Sequence, residues 1–266
     1  MSGGLGRPIR VVVFSGAYLD PPALRFALAL EAHPGVELLG VLCQAPAAGW
    51  RFRLRERWRR RGVLAAGVLL RDALAAIGRF LDSPRAALAR RSVARQLAPK
   101  VLTVSDIHAP QVLTQVRAWQ ADLGAVYGAP VLRPALYDMP ALGTLGIHHG
   151  RVPDYRGRKT TFWEIYNGEK VAGVTIQRLE AGIDTGDVVK SGEVTIGRKG
   201  YGRVERETQE LGLRLFLEAI LEARDGRTTR VPQSGHRGRH YGQPTAGDFL
   251  RLWLRVLGRR FGSRVT

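Results

Sequence analysis

Cysteine is almost missing from this sequence: Cys43 stands alone among 266 residues. A single thiol excludes an intrachain disulfide framework and a cysteine metal cluster. A clean apolar run is missing too. The most apolar stretch, VLAAGVLLRDALAAIGRFL, is broken by Arg71, Asp72 and Arg79, and falls short of the roughly 20 apolar residues that a spanning helix needs. The N-terminal MSGGLGRPIR shows no apolar h-region and no small-residue cleavage site, so a cytoplasmic location is the expectation. No Gly-Lys-Ser/Thr phosphate loop occurs, and His33, His108, His236 and His240 read as ordinary loop or surface residues. Acid is scarce: 23 Asp and Glu stand against 41 Lys and Arg, a net charge of +18.

That charge is unevenly placed. Residues 45–100 carry net +11 and residues 236–266 net +6, which leaves the rest of the chain nearly neutral at +1. Two readings of such segments stay open, a solvated face or a surface for an anionic partner. In WRFRLRERWRRR the arginines interleave with Trp50, Phe52, Leu54 and Trp58. Near the C-terminus Phe249, Leu252, Trp253, Val256 and Leu257 fall on one helical face, and Arg251, Arg255 and Arg259 on another. This tail reads as a helix docked on its own domain or as a membrane-surface helix.

Apolar runs alternate with helical stretches. Ile9–Phe14, ending in Ser15-Gly16, reads as a buried strand, and Pro21-Pro22 opens a helix to about Ala32. Further strand signals fall at Val36–Cys43, 101–104, 122–128 and 144–149, with a helix near 110–120. VAGVTIQRL and DVVKSGEVTI flank an acidic loop, and a helix over Val204–Ala223 precedes the final one at Gly247–Phe261. The expectation is an α/β fold: a mostly parallel Rossmann-like sheet with helices on both faces, a basic helical insertion and a short C-terminal helical tail. It divides into a catalytic domain over 1–225, with the insertion at 45–100, and a basic extension over 226–266.

GIHHGRVPDYRG, residues 146–157, carries the chemistry. Strand alternation puts Thr144, Gly146 and His148 on one face and turns His149 to the other. His148 then lies at the C-terminal end of a parallel strand, where open sheets place ligands. There it serves as an acid, a base or a charge stabiliser, or is a satisfied structural histidine. Asp184, at the tip of EAGIDTGD, either orients that imidazole or caps an Asx turn.

These motifs, with FWEIYNGE and YGAPVL, resemble the folate-dependent formyltransferase family over about Asp122 to Ile196. His148, Pro153 and the Arg156-Gly157 turn match its pattern, and Asp184 follows His148 by 36 positions, as the family spacing has it. The resemblance implies 10-formyltetrahydrofolate as formyl donor and a primary amine as acceptor. The amine attacks the formyl carbon and a tetrahedral oxyanion forms, without metal or a covalent enzyme intermediate. His148 stabilises the oxyanion or moves a proton, and Asp184 supports it. The pterin lies against Tyr127, Val131, Leu132 and Ile183. Ser15, Gly16 and Arg156 fall to the acceptor.

The family carries an Asn two positions before its His; here that position is Gly146. Losing one such donor costs about 10²–10³ in rate. Three readings follow: another donor or a water substitutes, the enzyme is slow or places its substrates differently, or the fold is kept and transfer is lost. Methionyl-tRNA formyltransferases carry a sizeable further C-terminal domain, whereas 70 residues follow Ile196 here. Glycinamide-ribonucleotide enzymes are compact and have no reason for the basic insertion. The expected acceptor is an amino sugar on a nucleotide or lipid carrier. Residues 50–61 and 247–261 would bring the enzyme to an anionic membrane at its inner face, in preference to nucleic acid. The competing expectation is an impaired formyltransferase-fold protein that binds tRNA or membrane.

Overall fold

The computed structural model describes residues 7–16, 21–44, 95, 97–233 and 238–261. The arginine-tryptophan segment at 50–61, and nearly all of the expected helical insertion, lies outside the described residues. The first half of the fold comprises β1 (Ile9–Ser15), α1 (Pro21–Glu31), β2 (Val36–Gln44), β3 (Val101–Val104), α2 (Pro110–Trp119), β4 (Leu123–Tyr127) and α3 (Pro134–Tyr137). Then come β5 (Thr144–His148), β6 (Tyr155–Gly157), α4 (Thr160–Asn167), β7 (Val171–Arg178) and β8 (Val188–Thr195). The chain closes with α5 (Tyr201–Arg224), β9 (Arg239–Tyr241) and α6 (Ala246–Phe261).

Seven strands form one sheet in the order β3-β2-β1-β4-β5-β7-β8. The first five run parallel, and β7 and β8 are antiparallel to their neighbours. The expected mostly parallel sheet with helices on both faces is what forms. IRVVVFS shows why: Val11 and Val13 enter the core shared with α1 and α5, while Val12 and Phe14 enter the core shared with α2 and α3. A strand covered on both faces needs continuous apolar residues instead of alternation.

After β1 the chain passes to β2 on one side and returns as β4 on the other, a topological switch point. At the carboxyl ends of β1 and β4 the backbones nearly touch: a Cβ on Gly16 would lie 2.5 Å from the Gly128 carbonyl oxygen. Open α/β sheets bind ligands at this crevice.

α5 covers β7 and β8 with Val204, Thr208, Gly212, Leu215, Phe216, Ala219 and Ile220 buried at helical spacing. The C-terminal segment is held to the body through both β9 and α6. β9 pairs in parallel with β6, and the Tyr155 and Tyr241 rings stack 5.1 Å apart. α6 opens on a capping box, in which the Thr245 amide donates to Asp248 Oδ2 and the Asp248 amide to Thr245 Oγ1. It then buries Leu252 and half-buries Phe249 against Phe162 and Ile165 of α4. Trp253, expected on that same face, is instead 59% exposed, beside exposed Leu250 and Leu254. One helical step of about 100° carries it from the docked side of Leu252 to the outer side. Arg255, expected on the opposite face, lies over the Tyr166 ring at 4.5 Å and donates to the Tyr166 carbonyl. No helix among the described residues is long and apolar enough to cross a membrane.

Candidate active site

His148 ends β5 and is buried. Its Nε2 lies 2.7 Å from the Tyr155 carbonyl oxygen. A carbonyl only accepts, so this contact assigns a hydrogen to Nε2. Nδ1 faces Asp184 Oδ1 at 3.4 Å.

Asp184 sits between β7 and β8 with a left-handed backbone, φ +53°. A non-glycine residue pays for that conformation, by about 1–2 kcal/mol, and the surroundings hold it there. Oδ2 accepts from the Gly157 amide at 2.9 Å, and Oδ1 accepts from Gln177 Nε2 at 3.1 Å. Gln233 Nε2 donates to the Asp184 carbonyl at 3.1 Å and to the Gly186 carbonyl at 2.8 Å.

Two cavities flank this pair. The first is lined by His148 and His149, with Gly128, Lys159, Glu205 and Gln209 on its rim. The second is lined by Asp184, with Val131, Leu132, Gly146, Leu179 and the 180–186 loop around it. Their volumes of about 260 and 150 Å³ fall below the roughly 300–1,000 Å³ of clefts that enclose a whole drug-sized ligand. Each suits the reacting end of a larger molecule.

Among the residues singled out in the sequence, Val131, Leu132, Ile183 and Asp184 come together around the second cavity. Tyr127 does not join them. It is buried on the first-cavity side, with its ring against Phe26 and edge-on to His149. Ser15 is buried at the switch point and Gly16 abuts Gly128, which lines the first cavity. Arg156 lines neither cavity; it donates to the Gly238 carbonyl and ties β6 to the segment before β9.

The space beside Gly146 is filled from β7's end. A Cβ on Gly146 would meet Leu179 Cδ1 at 2.7 Å. The wall where the family pattern has an amide is therefore apolar on both sides. His149 turns toward α5, where its Nε2 has no partner, and burial, with the neighbouring His148, pushes its pKa down to about 4.

Sequence reasoning missed three groups. Glu164 of α4 is fully buried and accepts from the amides of Arg151 and Gly173; burial raises its pKa to about 7. It fixes the loop that follows His148. A glutamate in FWEIY on the helix's apolar side was the available signal. Gln177 and Gln233, 56 positions apart and bonded to each other, carried no signal, because their partnership exists only once β7 and the post-α5 segment are in place.

The formyl transferase family model matches residues 81–220, just over half of the chain. Methionyl-tRNA formyltransferase of Ruminiclostridium cellulolyticum is 34% identical over 137 residues, which cover 50% of this chain and 44% of that protein. The chain thus spans less than half the length of the curated relative it matches. Among solved structures, a 4-N formyltransferase from Francisella tularensis superimposes with a TM-score of 0.58 at 14% identity, covering 94% of this chain and 88% of that one. Glycinamide ribonucleotide transformylase 1 from Symbiobacterium toebii gives 0.57 at 18% identity, covering 85% and 95%. At such identities these two likenesses speak for the fold. With His148, Asp184 and the Arg156-Gly157 turn assembled at one place and the family model matched across them, the chain belongs to the formyl transferase family.

Proposed function

We propose that this protein transfers a formyl group from 10-formyltetrahydrofolate to a primary amine. The observation that carries the reading is the His148–Asp184 contact, which stands between two cavities with one partner lining each. A transfer reaction needs donor and acceptor to meet at the groups that move the proton and stabilise the developing charge. The second cavity fits the donor's flat heterocycle: Val131, Leu132, Leu179 and Ile183 offer apolar walls, and the 180–186 backbone offers peptide edges. The donor, when bound, supplies an activated formyl group. His148 places positive charge beside the oxygen on which negative charge develops, as electrostatic stabilisation requires. Nε2 keeps its hydrogen toward Tyr155, so proton traffic passes through Nδ1 and Asp184.

The acceptor we favour is an amino sugar on a nucleotide or lipid carrier. Hydroxyl, amide and charged groups of Thr160, Thr161, Tyr201, Gln209, Lys159 and Glu205 line the first cavity and suit a polyhydroxylated amine. A second reading, an aminoacyl-tRNA acceptor, draws on the names of the curated relatives and on the net charge of +18. A third, an impaired site that only binds, draws on the apolar wall formed by Gly146 and Leu179. We further propose a cytoplasmic protein that rests on an anionic membrane surface through Leu250, Trp253 and Leu254, with Arg251 exposed beside them. Labelled 10-formyltetrahydrofolate offered with nucleotide-linked amino sugars, polyprenyl-phosphate-linked amino sugars and methionyl-tRNA separates the readings. Label on a sugar amine supports the first, label on tRNA the second, and label on neither, with donor bound, the third.

A further inference from the structure

We infer that Gln233, which lies beyond the family-matched segment, is a positioning residue that holds the Gln177 donor on the Asp184 carboxylate. An amide side chain has two chemically different ends, and the carboxylate, which only accepts, takes the NH₂ end of Gln177. A second hold on that orientation comes from further along the chain. Gln233 Nε2 lies 2.8 Å from the Gly186 carbonyl and 3.1 Å from the Asp184 carbonyl. Both are acceptors only, so the NH₂ end of Gln233 is the end that fits there. The same Nε2 lies 3.2 Å from Gln177 Oε1, the longest of three contacts that share its two hydrogens. With its oxygen so engaged, Gln177 turns its own NH₂ to Asp184 Oδ1 at 3.1 Å. Oδ1 is the oxygen that faces His148 Nδ1.

Gln233 is itself held. Val188 and Val231 exchange two backbone hydrogen bonds of 2.8 Å each, which fixes the segment beside the loop that carries Asp184. Gln233 lines neither cavity, so it acts through Gln177 and the loop backbone. By gripping the Asp184 carbonyl it also holds that residue's left-handed backbone. This in turn keeps Oδ2 on the Gly157 amide.

Gln233→Glu tests the inference, since it keeps the shape and replaces the donors by acceptors. The kinetic arm rests on the transfer reading; the exchange arm does not. With the amine that the wild-type protein formylates, kcat falls about 10–100-fold while KM for 10-formyltetrahydrofolate stays within about threefold, the signature of a misplaced catalytic group. Gln177→Leu lowers kcat as well, and the double variant loses less than the product of the two, because both act on one contact. Hydrogen exchange of the Gly157 amide, read in the full chain, quickens at least about tenfold in Gln233→Glu. An unchanged kcat, a rise in donor KM alone, or unchanged Gly157 exchange in a variant that melts like the wild type overturns the inference. If the wild-type protein formylates no amine, the transfer reading falls, and Gly157 exchange alone decides the role of Gln233.

Discussion

Replacing Gly146 by Asn puts a side chain where Leu179 already is. The new Cβ would lie 2.7 Å from Leu179 Cδ1, against the 3.5–4.0 Å of comfortable carbon contact, so about 1 Å of displacement is required. The atom in the way is the tip of a flexible side chain, so the cost stays at the lower end of the overpacking range, about 1 kcal/mol. For a chain of this size each kcal/mol lowers Tm by about 2–4 °C, so Gly146→Asn melts about 2–4 °C lower. Leu179 is half-buried, and Leu179→Ala alone costs less than the roughly 2–5 kcal/mol of a fully buried leucine. Together the two changes make room for each other. The double variant is more stable than the sum of its parts by about 1 kcal/mol, the coupling of residues in direct contact. Calorimetric melting of the four proteins measures this directly. Additivity within about 0.5 kcal/mol would refute the packing argument and leave Gly146 without a structural reason. The double variant is also informative in turnover, where one well-placed oxyanion donor is worth about 10²–10³ in kcat.

Three further outcomes are expected. His148→Ala and Asp184→Ala each lower formyl transfer by about 10²–10⁴-fold, the range for a proton-transferring group, while His149→Ala loses less; a dead His149→Ala beside an active His148→Ala would reverse the assignment. Glu164 has its pKa raised by burial to about 7 from 4.5, so between those values the folded state holds a proton that the unfolded state releases. Stability falls as pH rises through this window, by up to about 3 kcal/mol, and urea melts of Glu164→Gln should lack that loss. Finally, phosphatidylglycerol vesicles sediment the protein, and Trp253→Ala weakens this at least about fivefold, consistent with about 1–3 kcal/mol for a large apolar side chain leaving water. The attraction weakens but survives 1 M salt, where the Debye length falls to about 3 Å. Tight tRNA binding at physiological salt without sedimentation would favour the nucleic-acid partner.

The sheet was legible because buried parallel strands are continuous apolar runs. IRVVVFS, LGAVY and TLGIH announce themselves within a few residues. The His148–Asp184 contact was expected through the family resemblance, since the local strand and turn signals alone left a structural histidine and an Asx cap open. What escaped is made of long-range partnerships. β6 and β9 are three residues each and stabilise one another across some 80 positions, so neither reads as a strand alone. Leu179 filling the space at Gly146 depends on β5 and β7 pairing in one register. In the tail, Phe249 and Leu252 dock as the amphipathic pattern has it, but the angle at which α4 presents Phe162 and Tyr166 also takes in Arg255 and leaves Trp253 outside.

The contact between His148 Nε2 and the Tyr155 carbonyl closes over only seven positions, whereas the carbonyl of Asp184 is gripped from 49 positions away. The two partners of this contact thus inherit their aim from different reaches of the polypeptide. A cut before residue 231 would spare the Tyr155 carbonyl itself but remove both Gln233 and β9, the partner of the strand that carries Tyr155. A local opening at residues 231–233 alone would leave the imidazole's short-range contact in place and loosen only the loop of the carboxylate.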